Sequence, residues 1–571
     1  MAGVGEKNLL CYGDNLDFLS DDLRFPNECV DLIYLDPPFN SQQSYNVLFK
    51  EASGTPAAAQ IKAFEDTWTW DLAANKALTR IHQDPAVPAP LVELMRTFMN
   101  FLKASPMMAY LVQMAIRLVH MQRVLKPTGS LYLHCDPTAS HYLKLVLDAV
   151  FGPVNFRSEI TWKRTHSHGN VGRNYGAICD TLLFYSNGAR FTWGQQFLPF
   201  SQEYTDRVFK YQDPDGRKWQ SVTLRNPGKR PNLYFPYEAT NGVTYYPHPN
   251  GWSCDLERLR KYDREGRLHF PRSPKGALRL KMYLDESPGV RLQNLWDDIP
   301  AIGSRAAERM GYPTQKPLEL LKRIVAASSN PGDVVMDPFC GCGTTIDAVE
   351  TLNREQPDQL PRKWIGIDIT HLAINLIKHR LTRFVPPPEY EVIGEPVNAS
   401  AAAVLAKDDP FQFQFWALGL IGARPTGGKR KRAADRGIDG VRYFVDEMKN
   451  KQPVMKKILV QVKGGHVGAG DVRDFVGALT GEKAEMGVFI TLEEPTGPMK
   501  SAAASANMYV SPWNGKPYPK VQILTIDELL KDPYKPNPRC LQIPGGATGH
   551  TLPEVEKHKA NPAKQQALGF D

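Results

Sequence analysis

At 571 residues the chain exceeds one ordinary hydrophobic core and is expected to divide into two or three domains. A net charge of +8 suits a phosphate-bearing partner, and the eight scattered cysteines read as reduced, structural thiols. The polar start Met1–Asn8 reads as no signal peptide, and the apolar stretch Pro106–Val124, interrupted by Gln113 and Arg117, reads as a core helix and not a membrane span, so a cytoplasmic protein with no membrane partner is expected.

In chain order, Leu9-Leu10-Cys11-Tyr12 reads as a short strand ending in Gly13-Asp14. Val30–Leu35 is a second strand, and its C-terminal end delivers Asp36, Pro37, Pro38 and Phe39. The two prolines fix φ and withhold backbone donors, so nearby carbonyls stay free to accept. The exocyclic amine of a base has two protons to give. Hydrogen bonds from it to Asp36 and to a main-chain carbonyl, that of Pro37 being the nearest candidate, would draw its nitrogen toward a pyramidal, nucleophilic geometry, while Phe39 stacks on the base. A base reaches such a pocket only by leaving the duplex. By itself an Asp-Pro-Pro run is more often a rigid turn. His134, His166 and His168 lack ligand spacing to acidic partners and read as packing, hinge or DNA-contact residues.

From Ala189 to about Ile299 the composition shifts to aromatic and basic residues with many turn formers, as in Arg225-Asn226-Pro227-Gly228-Lys229-Arg230. Beyond it, Val334-Val335-Met336 reads as a buried strand leading to Asp337, after which Gly341 and Gly343 allow a tight turn before a helix begins. The third glycine of a dinucleotide fingerprint is missing, because Ile346 stands in its place, so the turn is not built for a pyrophosphate. The next strand, Trp364–Ile367, ends in Asp368, placed where an acid can accept from both ribose hydroxyls. An adenosine-type ligand is implied.

Together these segments resemble the DNA amino-methyltransferases that use S-adenosylmethionine, in the circularly permuted order of the beta group. The Gly13-Asp14 and Asp36 strands come first here, and the Asp337 and Asp368 strands some three hundred residues later. The intervening Gly129–Asp136, Asn155–Trp162 and Gly311–Pro317 segments also resemble that family, over roughly residues 5 to 390. The resemblance implies a permuted Rossmann-like α/β core with an inserted target-recognition region, acting on double-stranded DNA and, by analogy, as a homodimer. It implies a cofactor loop of Asp337, Phe339, Gly341, Gly343 and Thr344, with Asp368 as the ribose acid and Asp14 near the adenine. Thr314, Gln315 and Lys316 fall in the segment approaching the methionine end, and Asp36, Pro37, Pro38 and Phe39 form the target-amine motif, with Phe where Tyr is commoner. Aspartate at the first position favours adenine N6; cytosine N4 is the alternative. The domains expected are the methyltransferase halves 1–188 and 300–385 and the insertion 189–299.

The stretch 386–408, with Pro386 to Pro388 and the alanine-rich Ala399 to Ala406, reads as a linker, and 409–545 begins a new α/β pattern before a disordered tail, 546–571. Asp439, followed by Gln461 and Lys463 on the strand Ile458–Lys463, resembles the active site of Mrr-type restriction endonuclease domains of the PD-(D/E)xK fold. The resemblance implies Asp439 and Gln461 as ligands of Mg2+, with Lys463 steadying the attacking water or the scissile phosphate. Gln461 is an amide where a carboxylate would bind metal better, and the helix Phe411–Leu420 lacks the extra acid of some relatives. A nuclease fold kept as an inactive DNA clamp is the alternative.

Overall fold

The computed structural model describes residues 5–38, 69–165, 175–273, 276–303, 306–312, 314–426, 437–449, 452–532 and 538–544, and the backbone of the hairpin Ser44–Lys50 and Pro56–Glu65. At its centre is a nine-stranded sheet in the order Leu295–Trp296, Phe156–Lys163, Cys179–Ser186, Leu125–Cys135, Val30–Leu35, Val334–Asp337, Lys363–Asp368, Asn8–Tyr12, Tyr390–Ile393. The two central strands, Val30–Leu35 and Val334–Asp337, are buried at every residue, as their mostly apolar sequences require of a parallel sheet covered on both faces.

From Val30–Leu35 the sheet continues to Leu125–Cys135, and from Val334–Asp337 it continues the other way to Lys363–Asp368. Val335 pairs with Leu32 and Met336 with Ile33, so the carboxyl ends of these two strands flank a topological switch point, where open α/β sheets bind ligands. The permutation closes along the sheet: Leu9 to Tyr12 pair in parallel with Ile365 to Asp368. Asn8 fastens the seam, accepting from the Trp364 amide and donating to the Glu389 carbonyl.

The stretch expected as a linker, 386–408, is largely ordered secondary structure. Tyr390–Ile393 adds an edge strand beside Asn8–Cys11, and Ala399–Asp408 is a helix whose N-terminal amide at Ala401 is capped by the Asn398 side chain. Alanine carries the best helix propensity, and Ala402 and Ala406 bury one face at i, i+4, so composition that suggested a spacer supports a packed helix.

Residues Gln195–Gln293 form a separate compact unit. It has a four-stranded antiparallel sheet, Leu268–His269, Arg279–Tyr283, Lys218–Thr223, Tyr211–Gln212, and a core that includes Tyr237, Tyr245, Trp252 and Leu259.

The C-terminal part carries a five-stranded sheet, Arg424–Pro425, Gly440–Lys449, Gln452–Lys463, Met486–Thr491, Val521–Thr525. The helix Pro410–Leu420 packs one face through Phe413 and Trp416, and Ala469–Gly481 packs another through Val472 and Phe475. All eight cysteines are free thiols, and among the described residues no helix is long and apolar enough to cross a membrane.

Candidate active site

The turn after the strand Val334–Asp337 is built by two glycines with positive φ, Gly341 at +50° and Gly343 at +76°. Gly343 caps the helix Thr344–Glu355, and a Cβ there would lie 2.7 Å from Ile377 Cγ1, so both its conformation and its neighbour demand glycine. Asp337 is buried beneath the turn, accepting from the Phe339 amide at 3.1 Å and from Thr345 Oγ1 at 2.5 Å. Burial outweighs these bonds and pushes its carboxyl up to about 7. Asp368 accepts from the Gly341 amide at 3.0 Å with one oxygen and from Thr370 N and Oγ1 with the other, and burial pushes it up to about 6. Oδ1 accepts both Thr370 bonds, so Oδ2 is the oxygen with a second acceptor site left. Thr344 is buried and accepts from Arg380 at 3.2 Å, while Phe339 lines the open space above the turn.

At the neighbouring strand end stands Asp36. Its Oδ2 accepts from Lys316 Nζ at 2.5 Å, and its Oδ1 is buried with no hydrogen-bond partner among the described residues. Lys316, expected at the methionine end, thus stands with its ammonium against the carboxylate of the target-amine motif. Gln315 spends its side chain on its own loop, accepting from the Met310 amide and donating to the Glu308 carbonyl. Pro37 and Pro38 line the same space, and Phe39 lies outside the described residues. Behind Asp36, Tyr34, His134 and Asp180 form a buried chain, with His134 Nδ1 3.0 Å from the Tyr34 hydroxyl and its Nε2 3.1 Å from Asp180, so His134 is a core residue. His166 and His168 lie outside the described residues.

One cavity of about 490 Å³ joins the two constellations. Asp36, Pro37, Pro38 and Lys316 line it together with Asp337, Phe339, Gly341, Thr344 and Asp368, and Asp14, Thr314 and Gln315 reach it too. The Asp14 carboxylate is already bound by Arg117 at 2.8 and 2.9 Å and by the Leu16 amide. Asn15, Gln113, Arg117 and Tyr312 also line it, and none of them is marked as a site residue by the sequence alone. Arg117 also donates to Asn15 Oδ1 and Gln113 Oε1, and Asn15 donates to the Pro338 carbonyl at 2.7 Å, which ties the segment after the first strand to the loop after Asp337. Their signal was present: two polar residues four apart, on one face of an otherwise apolar helix.

The nuclease-like constellation is assembled differently from the expectation. Gln461 and Lys463 line a shallow cavity with Asp471, Arg473 and Asp474, and Asp439 is not among its lining residues. Asp439 instead turns Oδ2 to the Val462 amide at 2.8 Å, and Lys463 pairs with Asp471 at 3.3 Å. With one carboxylate turned into the sheet and an amide at the other position, Asp439 and Gln461 do not fit as a Mg2+ site, because a hard cation wants several converging oxygens. Among the described residues no group of three or more His, Cys, Asp or Glu converges as a ligand set.

Comparison with known proteins follows this division. Residues 427–531 match a family described as NACHT-associated inactive restriction endonuclease 1. The type II methyltransferase M.EcaI of Enterobacter cloacae is 30% identical over 295 residues, 51% of this chain and 60% of that protein. The Mod subunit of the type III restriction-modification enzyme StyLTI of Salmonella typhimurium is 27% identical over 364 residues, 62% of this chain and 51% of its own length. The chain therefore spans between half and two thirds of these relatives. The DNA adenine methyltransferase YhdJ of Escherichia coli is 46% identical over 88 residues, 15% of this chain and 27% of that protein. Residues 30–379, more than half of the chain and both ends of the cavity, match the N6/N4 DNA methylase family, and the chain belongs to that family.

Proposed function

We propose that the chain transfers a methyl group from S-adenosylmethionine to an exocyclic amine of a base in DNA, adenine N6 in preference to cytosine N4, as the modifying activity of a restriction-modification system. The observation that carries this reading is the single cavity with the glycine turn at one end and the orphaned Asp36 oxygen at the other. Its volume of about 490 Å³ lies within the range of roughly 300–1,000 Å³ usual for small-molecule sites.

When bound, S-adenosylmethionine supplies an electrophilic methyl group. Asp368 retains an acceptor site on Oδ2 for a ribose hydroxyl, and Gly341 of the turn lines the same cavity. Lys316 holds one oxygen of Asp36, so the other is left to accept an amine proton, with the Pro37 carbonyl as second acceptor. An amine held at both protons presents its nitrogen to the cofactor, and the base must be extruded to reach it.

The names of the relatives support modification of DNA, and an aspartate at the head of the motif, together with the YhdJ likeness, supports adenine. Residues 1–188 and 300–385 supply the two methyltransferase halves in this reading. The insertion 189–299 contacts DNA through exposed cations such as Arg225, Lys229 and Arg230. The C-terminal domain acts as a DNA clamp without cutting, a reading supported by the inactive-endonuclease likeness and by the Asp439 carboxylate being engaged by the Val462 amide.

The test is incubation of unmodified DNA with labelled S-adenosylmethionine, followed by digestion to nucleosides. Label is expected in N6-methyladenine, and Asp36→Ala is expected to lower transfer by about a hundredfold or more. Label in N4-methylcytosine would move the target base, and no label in DNA would end the reading.

A further inference from the structure

The helix Pro410–Leu420 contains no charged residue, and beyond Phe411 none of its residues is fully exposed. The reason is that it is covered on two sides. Phe413, Trp416, Ala417 and Leu420, spaced as one helical stripe, are buried in the C-terminal core. Gln412, Phe415 and Gly419, at i, i+3 and i+7, form the other stripe, and this one lies on the methyltransferase helix His371–Leu381.

That second helix begins two residues after Asp368-Ile369, on the rim of the cavity. Its first amide, at His371, is one of the orphan donors of a helix N-terminus, and Gln412 Oε1 accepts from it at 2.9 Å. The preceding residue, Thr370, donates twice to Asp368. One turn further on, Asn375 donates to the Phe415 carbonyl at 2.7 Å, and Gly419 approaches so closely that a Cβ would lie 2.1 Å from Asn375 Oδ1. The Phe415 ring packs against the cluster of Tyr312, Cys342 and Leu372, and Tyr312 in turn covers Gly341, with Cε1 3.3 Å from where a Cβ would stand. Two cavity-lining pieces, the Asp368–Thr370 rim and the Gly341 turn, are thus braced by a helix whose other stripe is core of the C-terminal domain.

We propose that Pro410–Leu420 is a positioning element of the cofactor site, so that cofactor binding and the docking of this helix on His371–Leu381 are thermodynamically coupled. Neither matched family region, 30–379 nor 427–531, includes this helix. The inference rests on the cavity being the S-adenosylmethionine site. Coupling is reciprocal: whatever the brace adds to cofactor affinity, bound cofactor returns to the docking of the brace.

The experiment uses the full chain and S-adenosylhomocysteine as probe, titrated by calorimetry. Phe415→Ala and Gly419→Ala are expected to weaken binding about tenfold, and Gln412→Ala, which removes one hydrogen bond and little packing, about threefold. In the wild type, saturating probe is expected to slow hydrogen exchange across 410–420. Phe475→Ala serves as control, since Phe475 lies in the second C-terminal core cluster and should lower the melting temperature without changing probe affinity. No probe binding by the wild type would refute the cofactor reading itself. Wild-type binding with unchanged affinity in all three brace variants, or equal weakening by Phe475→Ala, would overturn the coupling alone.

Discussion

Asp337 and Asp368 end adjacent strands, and burial pushes their carboxyls up to about 7 and about 6. A folded-state value above the ordinary 3.8 means that the folded chain binds the proton more tightly than the unfolded one. The stabilisation from protonated Asp337 is therefore fully present below about pH 4 and lost as the pH rises through 7. Asp337→Asn, which keeps the shape without the ionisation, is expected to flatten the fall in melting temperature between pH 4 and 7 in the ligand-free protein. An unchanged slope would assign the titration to another group. Asp36 shows the complementary case: the residue type was legible at once, but which oxygen is free depends on Lys316, 280 positions away in sequence.

Among the elements, the helix Pro106–Val124 holds the Asp14–Asn15 segment at the cavity. It looked like ordinary core apart from Gln113 and Arg117, and these two face the cavity because four residues make about one helical turn. Arg117 bonds Asp14, Asn15 and Gln113 together, and only the Asp14 partner keeps substantial exposure, at 39%. Removing one member of a fully buried pair costs about 3–5 kcal/mol; with Asp14 partly solvated, Arg117→Met is expected to cost about 2 kcal/mol by denaturant unfolding. It should also weaken S-adenosylhomocysteine binding, because Asn15 would lose the bond that orients it toward Pro338. A variant as stable as the wild type would make the network incidental. The helix Ala399–Asp408 teaches the opposite lesson. Its alanines were read as a spacer, and only the packing of Ala402 and Ala406 shows why they are small.

For the whole molecule, the question is whether a nuclease fold beside a methylase still cuts. Lys463 is engaged by Asp471, Asp439 faces the backbone of its neighbouring strand, and Gln461 supplies an amide. Plasmid incubated with Mg2+ is therefore expected to remain supercoiled, equally with wild type and Lys463→Ala. Nicking by the wild type that Lys463→Ala abolishes would restore the endonuclease. The chain's affinity for DNA is expected to fall steeply with salt, as for any contact dominated by phosphate neutralisation.

The order of motifs, the alternation of strand and helix and the identity of Asp36, Asp337, Gly341, Gly343 and Asp368 were readable from the chain, because each depends on local chemistry: a strand end, a turn too tight for a side chain, a proline pair. Fold class and family follow from that local grammar. Tertiary structure alone decided that residues 36 and 337 share a cavity, that Lys316 sits on Asp36, that Asp439 accepts from the Val462 amide, and that a helix of the C-terminal domain braces the rim at Asp368. Those facts are set by which distant strands become neighbours and which side chain reaches a partner first, and neither is encoded within any one segment.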